Sequence, residues 1–388
     1  MSVRVPIQPD LLQWASGRSA IAPDALRKRF PKYDEWEAGE TNPTFKQLQD
    51  FAKATHTPFG YLLLSKPPKL DVPIPDYRTM GSQQLGEPSP DLLDTLYACQ
   101  QRQEWYQEYV HSIGQPPLKF VGSATLRSDI IKTAAKIRKY LRFDLSEQRS
   151  VSSLDQTLSR FRQQAEEIGV LVMINGVVGS NTHRKLDPGE FRGFALADKL
   201  APLVFINGSD TKSGQMFTLA HELAHIWLGQ TALSDATALS GSSRTTERWC
   251  NKVAAELLVP IGAFGAAFDA SKDLADEMNR LARQFKVSTL VVLRRMRDTG
   301  RITRERFESI YAEELARLKA IIARNKAAGS GGGDWYRTTP IRVSERFARA
   351  VVVSSLEGRS TFTEGMHLIG CRKMSTFREL GHHLGVDG

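Results

Sequence analysis

Hydrophobic residues recur at helical spacing along most of this 388-residue chain, and short continuous apolar runs replace that spacing only in the middle. Near the N-terminus, Phe45, Leu48 and Phe51 share one face of a predicted helix. Short helices around a small core are typical of a helix-turn-helix domain, which we predict for residues 1–64. The proline and acidic start signals place the beginnings of these short helices at Pro9, Asp24 and Pro43.

The middle of the chain, residues 91–262, mixes helical periodicity with β-rich runs and predicts an α+β fold that is mainly helical. The runs that predict strands are Val170–Ile174, Phe191–Ala195 and Leu203–Ile206. The predicted helices of this part are Asp91–Ser112, Arg127–Leu141, Ser153–Ile168, Gln215–Leu228 and Arg244–Leu258. Residues 271–324 and 344–384 return to helical spacing.

Two stretches interrupt the periodic pattern and suggest domain boundaries. Residues 65–90 are rich in proline, which a regular element cannot accommodate, so we predict a connector there. Ala327–Gly333 has the composition of a flexible linker. The predicted segments are 1–64 (helix-turn-helix), 65–90 (connector), 91–262 (α+β domain), 263–326 (basic, helical), 327–333 (linker) and 334–388 (small helical domain).

Composition narrows the class of protein. With 41% hydrophobic and 24% charged residues, the chain has the balance of a globular protein and offers no apolar run long enough for a membrane helix. Its 3 cysteines are far apart, and Met1–Gln8 lacks the apolar core of a signal peptide, so we expect a reducing, cytoplasmic location. The net charge of +9 permits an anionic partner such as DNA without requiring one.

One motif carries recognisable chemistry. His221-Glu222-Leu223-Ala224-His225 is an HExxH sequence inside a predicted helix with apolar flanks. Residues four apart share a helix face, so both imidazoles can bind one Zn²⁺. Glu222 is then placed to act as general base toward a water at the metal. Two buried histidines and a glutamate without partners would be costly, and a metal supplies the missing partner.

The third metal ligand must come from outside the motif. A metzincin would need glycine at position 228 and histidine at 231, but the chain has Leu228 and Thr231, which excludes that class. Glu247, on the next predicted helix, is the candidate we favour, with Asn251 one turn later to hydrogen-bond a ligand. Competing candidates are Asp235, Cys250 and Glu256, the last of which we expect to be a partly exposed helix residue.

A strand precedes the motif helix directly. The run Pro202–Asn207 is either a core strand covered by helices or an edge strand. An edge strand next to a metal could pair with an extended peptide and hold it across the metal.

The residues around the motif resemble those of the ImmA/IrrE family of zinc metallo-endopeptidases. The resemblance rests on Phe217–His225, on Glu247–Pro260 and on the runs Phe191–Leu196 and Pro202–Asn207. Trp36–Glu40 with Asn42-Pro43-Thr44 resembles the end of an XRE-type helix-turn-helix domain, and Pro73–Arg78 resembles the connector of such fusions.

The resemblance implies a gluzincin-like, zincin-type peptidase domain with a small sheet, in which Glu247 corresponds to the third ligand. It also implies cleavage of a partner protein, an XRE-type repressor above all, in bacterial or phage gene regulation or stress response. Other relatives look like antitoxins, so the alternative is a DNA-binding regulator or antitoxin that uses the zincin fold as a non-catalytic platform. The expected partners are therefore a repressor or a toxin, with DNA as a further candidate, no membrane, and oligomer formation left open.

Two segments are candidates for contact with DNA. In the first domain the segment 28–35 is about one helical turn shorter than a usual recognition segment needs, and residues 32–37 are acidic, which works against phosphate binding. Residues 283–306 are strongly basic and read as helix, turn and helix with Ser288 as N-cap. The side chains that this pattern offers to nucleic acid are Arg294, Arg295 and Arg297.

Overall fold

The computed structural model describes residues 3–19, 21–77, 87–234, 245–327 and 334–386. The chain divides into two compact units. The first comprises Met1–Pro73 and Gln83–Tyr97, and the second comprises Ile74–Ser82 and Ala98–Gly388.

The first unit is helical, as the spacing of its apolar residues predicts. Its elements are α1 (Pro9–Arg18), α2 (Pro23–Arg29), α3 (Tyr33–Glu37), α4 (Phe45–Thr55), the 3₁₀ helix Phe59–Leu63 and the beginning of α5 (Pro90–Ser112), which contains the boundary between the units. The hydroxyl of Thr44 accepts a hydrogen bond from Gln47 N–H, while the Gln47 side chain accepts one from Thr44 N–H. This reciprocal cap explains why α4 begins where it does.

The short helix α3 contributes to the core of the first unit. Its Tyr33 and Trp36 are buried against Phe51 of α4, and the Tyr33 and Phe51 rings are stacked with centroids 5.8 Å apart. Asp34 and Glu35 lie on the exposed side. The exposed face of α3 is therefore acidic, in line with the charge of residues 32–37 in the sequence.

The second unit contains the remaining helices. They are α6 (Ile130–Leu141), α7 (Leu145–Ser150), α8 (Leu154–Glu167), α9 (Lys212–Leu228), α10 (Thr245–Leu258), α11 (Ile261–Ala267), α12 (Leu274–Phe285), α13 (Thr289–Asp298), α14 (Arg304–Ala327), α15 (Trp335–Val343), α16 (Glu345–Leu356), α17 (Phe362–Ile369) and α18 (Met374–His383). Positive φ angles at Lys286 and Gly300 divide the predicted helical region 271–324 into three helices. Among the helices described, none combines the length and apolarity that crossing a membrane requires.

A small mixed sheet lies in the second unit. Its strands and the neighbouring hairpin are β1 (Leu171–Asn175), β2 (Val177–Val178), β3 (Asn181–Lys185), β4 (Gly193–Leu196), β5 (Leu203–Asn207) and β6 (Ala232–Ser234). The order is β1-β5-β4-β6; β1 and β5 are parallel, and β4 is antiparallel to both β5 and β6. The α+β, mainly helical fold class is confirmed.

The run Pro202–Asn207 is the core strand that is one of its two interpretations from the sequence. β5, which contains most of Pro202–Asn207, lies between β1 and β4 and has both of its edges paired. The edge-strand interpretation of this run is therefore wrong. The physical reason is that β5 is apolar along its whole length, as expected of an interior strand buried on both faces.

Helix α9 forms the centre of the second unit. It packs against α10 on one side and against β4 and β5 on the other. Every residue from Gln215 to Trp227 is buried. Such a helix is unusual in being hidden all round, and any polar side chain on it must find its partners inside the protein.

Candidate metal centre

The HExxH motif lies in the second half of α9, and local signals fix both ends of that helix. The hydroxyl of Thr211 accepts a hydrogen bond from Gly214 N–H and caps the start. The helix ends at Gly229, which has a φ of 69° and approaches Gly122 so closely that a Cβ would lie 2.9 Å from its Cα. A side chain at position 229 is thus excluded by both backbone conformation and space.

His221 and His225 face each other one helical turn apart. Their Nε2 atoms are 3.1 Å apart, and both side chains are fully buried. At this distance the two nitrogens either share one proton in a hydrogen bond or face a common cation, because two protons or two lone pairs would repel each other.

Glu247 completes the group from the neighbouring helix α10. One of its carboxylate oxygens lies 3.2 Å from His221 Nε2 and the other 3.0 Å from His225 Nε2. The ligand atoms of the three residues all lie within 4.8 Å of one another. The structure therefore brings the three predicted ligands together, and two nitrogens with one carboxylate are a donor set that suits zinc and leaves a fourth position for catalysis.

Asn251 orients the first histidine. Its Oδ1 lies 2.9 Å from His221 Nδ1. Because an amide oxygen accepts hydrogen bonds, this contact favours a proton on Nδ1, and in the neutral imidazole the lone pair then lies on Nε2, toward Glu247 and His225. This is the tautomer that a metal ligand needs, so the residues present fit a bound metal ion.

Burial and mutual charge shift the pKa values of the group in different directions. Burial alone would raise the pKa of Glu247, but the neighbouring His221 and His225 outweigh it and lower that pKa well below its usual range. Burial lowers the pKa of His225, whereas at His221 the Glu247 carboxylate overcomes the effect of burial and raises the pKa. The carboxylate thus stays ionised and available to a cation.

Glu222 lies beside the group and is held by a residue from the sheet. The Ser234 hydroxyl of β6 donates a hydrogen bond to Glu222 Oε1. The other oxygen, Oε2, has no hydrogen-bond partner among the residues that the structure describes. Burial raises the pKa of Glu222 to about 8, an effect that His221 and the Ser234 hydrogen bond oppose. A bound cation would act in the same direction as His221 and favour the carboxylate.

Gly193 of β4 lies against α9 beside Glu222, where there is no room for a side chain. A Cβ at this position would lie 2.5 Å from Thr218 Cγ2, 2.7 Å from the Phe205 carbonyl oxygen and 3.4 Å from Glu222 Oε1. Only glycine lets β4 approach α9 this closely. Neither Gly193 nor Ser234 was a candidate from the sequence, because each acts only through contacts with distant parts of the chain.

The competing ligand candidates have different surroundings. Cys250 is fully buried, and burial raises the pKa of its thiol well above the ordinary value, so it remains a packed thiol. Asp235 lies outside the described residues. Glu256 is buried rather than partly exposed, which corrects our expectation: it binds Arg295 through a 2.8 Å ion pair and accepts a hydrogen bond from Ile261 N–H.

The predicted nucleic-acid contacts on α13 do not form one exposed surface. Arg295 is 2% exposed and paired with both Glu256 and Asp298, so its assignment as a phosphate contact is wrong. Arg294 pairs with Asp298, while the Arg297 guanidinium lies 4.8 Å from the centre of the Phe307 ring. Most of α13 is buried, because its apolar positions, including those next to the arginines, pack into the core. Contact of Arg294 and Arg297 with DNA stays a prediction.

A protein-family model matches the part of the chain that contains this site. Residues 165–297 match the model of the peptidase M78 family, described as an IrrE N-terminal-like domain. The match extends from the end of α8 into α13 and includes the motif, Glu247 and Asn251. It supports the resemblance to the ImmA/IrrE family and indicates a metallopeptidase domain of that type.

A second segment of the chain matches a family model whose function is unknown. Residues 343–383 match a second family model, DUF8813, which is described only as a domain of unknown function. Neither match reaches the residues before 165, so the XRE-type assignment of the first unit stays a prediction. No curated protein matches the chain.

Proposed function

We propose that this protein is a zinc-dependent endopeptidase that cuts a specific regulatory protein, an XRE-type repressor above all. The observation that carries the proposal is the convergence of His221, His225 and Glu247, with the carboxylate of Glu222 beside them. The match of residues 165–297 to a peptidase family supports the same reaction class.

Each polar residue of the centre has a role in this proposal. His221, His225 and Glu247 would hold the zinc ion, which supplies Lewis-acid polarisation of the scissile carbonyl and activation of a water. Glu222 would take the proton from the attacking water and later give it to the leaving amine. Ser234 fixes Oε1 of Glu222, which leaves Oε2 for the proton transfer.

We propose that the first unit contributes a protein contact. The exposed side of α3 carries Asp34 and Glu35, and both are ion-paired, Asp34 with Arg27 at 3.0 Å and Glu35 with Lys32 at 3.6 Å. These carboxylates neutralise Arg27 and Lys32, so the face attracts phosphate groups less than an unpaired basic face would and is better suited to a protein partner than to DNA. Binding of a candidate repressor to the full-length protein, compared with its binding to the Asp34→Asn variant, tests this role.

Substitution of Glu222 by glutamine tests the proposed reaction. Purified wild-type protein and Glu222→Gln should each contain about one zinc per chain, because Glu222 is not among the ligands. The variant should cleave co-expressed candidate repressors about 100- to 10,000-fold more slowly, the range that general-base catalysis contributes. Cleavage is followed by mass spectrometry of the new N-termini, and Glu379→Gln, which changes an exposed glutamate, is the matched control.

The same experiment separates the protease from the binding platform. If regulation of the target genes survives in Glu222→Gln, the zincin fold serves to bind a toxin, a repressor or DNA, and the peptidase proposal is wrong. If regulation and cleavage are lost together while zinc is retained, the catalytic role stands.

A further inference from the structure

The outer edge of β6 is covered by a short segment of the predicted connector. Leu233 N–H donates a hydrogen bond of 2.9 Å to the Pro75 carbonyl, and Tyr77 N–H donates one of 2.7 Å to the Leu233 carbonyl. The two bonds make a parallel bridge between Asp76 and Leu233. We call the segment Ile74–Tyr77 the strap.

The strap lies next to the candidate metal centre. Its Tyr77 ring is 6.2 Å from the ring of His225, measured between centroids. Leu233, to which it is hydrogen-bonded, directly precedes Ser234, whose hydroxyl holds Glu222. The strap thus runs along β6, which approaches the centre through Ser234 and whose edge away from β4 pairs with no other strand among the described residues.

The chain enters and leaves the strap through the other unit. The described strap residues belong to the second unit, whereas the residues up to Pro73 and those from Glu87 to Tyr97 belong to the first. The strap is therefore continuous with the first unit in the sequence on both sides, and because it belongs to the same chain as β6 their pairing does not depend on protein concentration.

We propose that the strap is a tethered competitor of the peptide substrate, which must displace it from Leu233 before cleavage. This inference rests on the proposed peptidase function. An extended peptide held across the centre needs main-chain partners, and the N–H and C=O of Leu233 are the groups on this edge that such a peptide would use. One strand edge cannot pair with two chains at once.

The composition of the strap favours exchange over permanent attachment. Pro75 accepts a hydrogen bond from Leu233 but has no N–H group, so it cannot donate one to β6. Proline is confined to sheet edges for this reason. Only Ile74 of the four residues is buried; Pro75 is exposed, and Asp76 and Tyr77 are half-buried. Segments that lie largely at the surface and pair over so short a length are among the first parts of a protein to open.

The test measures how tightly the zinc-loaded, full-length protein binds a short extended peptide that ends in a hydroxamate. Tyr77→Ala removes the ring beside His225, and Tyr77→Phe is the matched control that keeps the ring and the main-chain donor. If the strap is closed in about nine of ten wild-type molecules, Tyr77→Ala should bind the probe about tenfold more tightly in calorimetry. Tyr77→Phe should stay within about twofold of wild type.

Further measurements keep the test decisive. Tyr77→Pro, which removes the N–H donated to Leu233, should tighten peptide-hydroxamate binding in the same direction as Tyr77→Ala. Acetohydroxamate, which is too small to need the strand edge, should bind all variants alike. The proposed competition by the strap would be wrong if wild type, Tyr77→Ala and Tyr77→Pro, each with zinc present, bound the peptide hydroxamate with equal affinity. The proposed metal centre would be unaffected by that result. If none of these proteins bound zinc, even after zinc was added back, both the proposed peptidase function and the proposed role of the strap would be wrong.

Discussion

Two glutamates of the same helix show how similar buried residues acquire different roles. Glu247 and Glu256 both belong to α10 and are 1% and 4% exposed. Glu256 meets the permanent positive charge of Arg295 and caps Ile261, so its charge is balanced inside the protein. Glu247 meets two imidazole nitrogens, neither of which carries a permanent charge. The comparison teaches that a buried carboxylate without a permanent cation marks a site for one.

The largest effect that tests this comparison is the loss of the metal ligand. Glu247→Gln should weaken zinc binding by about 100- to 1000-fold, because the binding free energy of zinc sites with four protein ligands, about 10–16 kcal/mol, corresponds to roughly 3–4 kcal/mol per ligand. Competition with a chromogenic chelator measures the affinity. Unchanged zinc affinity in this variant would remove Glu247 from the ligand set.

The matched substitution at the other glutamate should change stability instead. Glu256→Gln leaves the Arg295 guanidinium buried with Asp298 as its remaining acidic partner, so the free energy of unfolding should fall by about 3 kcal/mol. Urea unfolding of the zinc-loaded protein measures this loss, and the zinc affinity below the transition should equal that of wild type. A variant that kept its stability and lost zinc would reverse the roles assigned to the two residues.

A smaller effect is expected from the residue that orients His221. Asn251→Ala removes the acceptor that holds the Nδ1 proton, and loss of such an orienting partner typically weakens metal binding by about 10- to 100-fold. The chelator assay applies here as well, with Asn279→Ala on α12 as the control. If Asn251→Ala and Asn279→Ala bind zinc equally well, the hydrogen bond to His221 has no part in metal binding.

Some features of the fold and the site could be predicted because they depend on local geometry. The helical spacing of His221 and His225 places them on one face wherever α9 lies, and Ser288 caps α13 through its own Val291. The predicted strands are each observed within a residue or two of their expected positions. In these cases the interactions that form the element act between neighbouring residues, so the local sequence pattern is enough to predict the element.

Other features depend on contacts between distant segments and could not be predicted. The three-residue strand β6 is too short to show a pattern, yet it brings Ser234 to Glu222 and pairs with the strap. Arg295 has the charge of a phosphate contact, but charge in a sequence does not reveal whether a side chain faces solvent or Glu256. The same holds for β5, whose neighbours on both sides are decided by the sheet order.

The sequence by itself determined the type of helix, the pair of imidazoles and the candidate base, because a helix repeats every 3.6 residues regardless of its surroundings. Only the tertiary structure decided that Glu247 rather than Glu256 approaches those imidazoles, and that the connector lies along the edge of β6 beside them. Both decisions come from packing, because the burial of apolar faces sets how α9, α10 and the sheet meet, and the polar side chains follow.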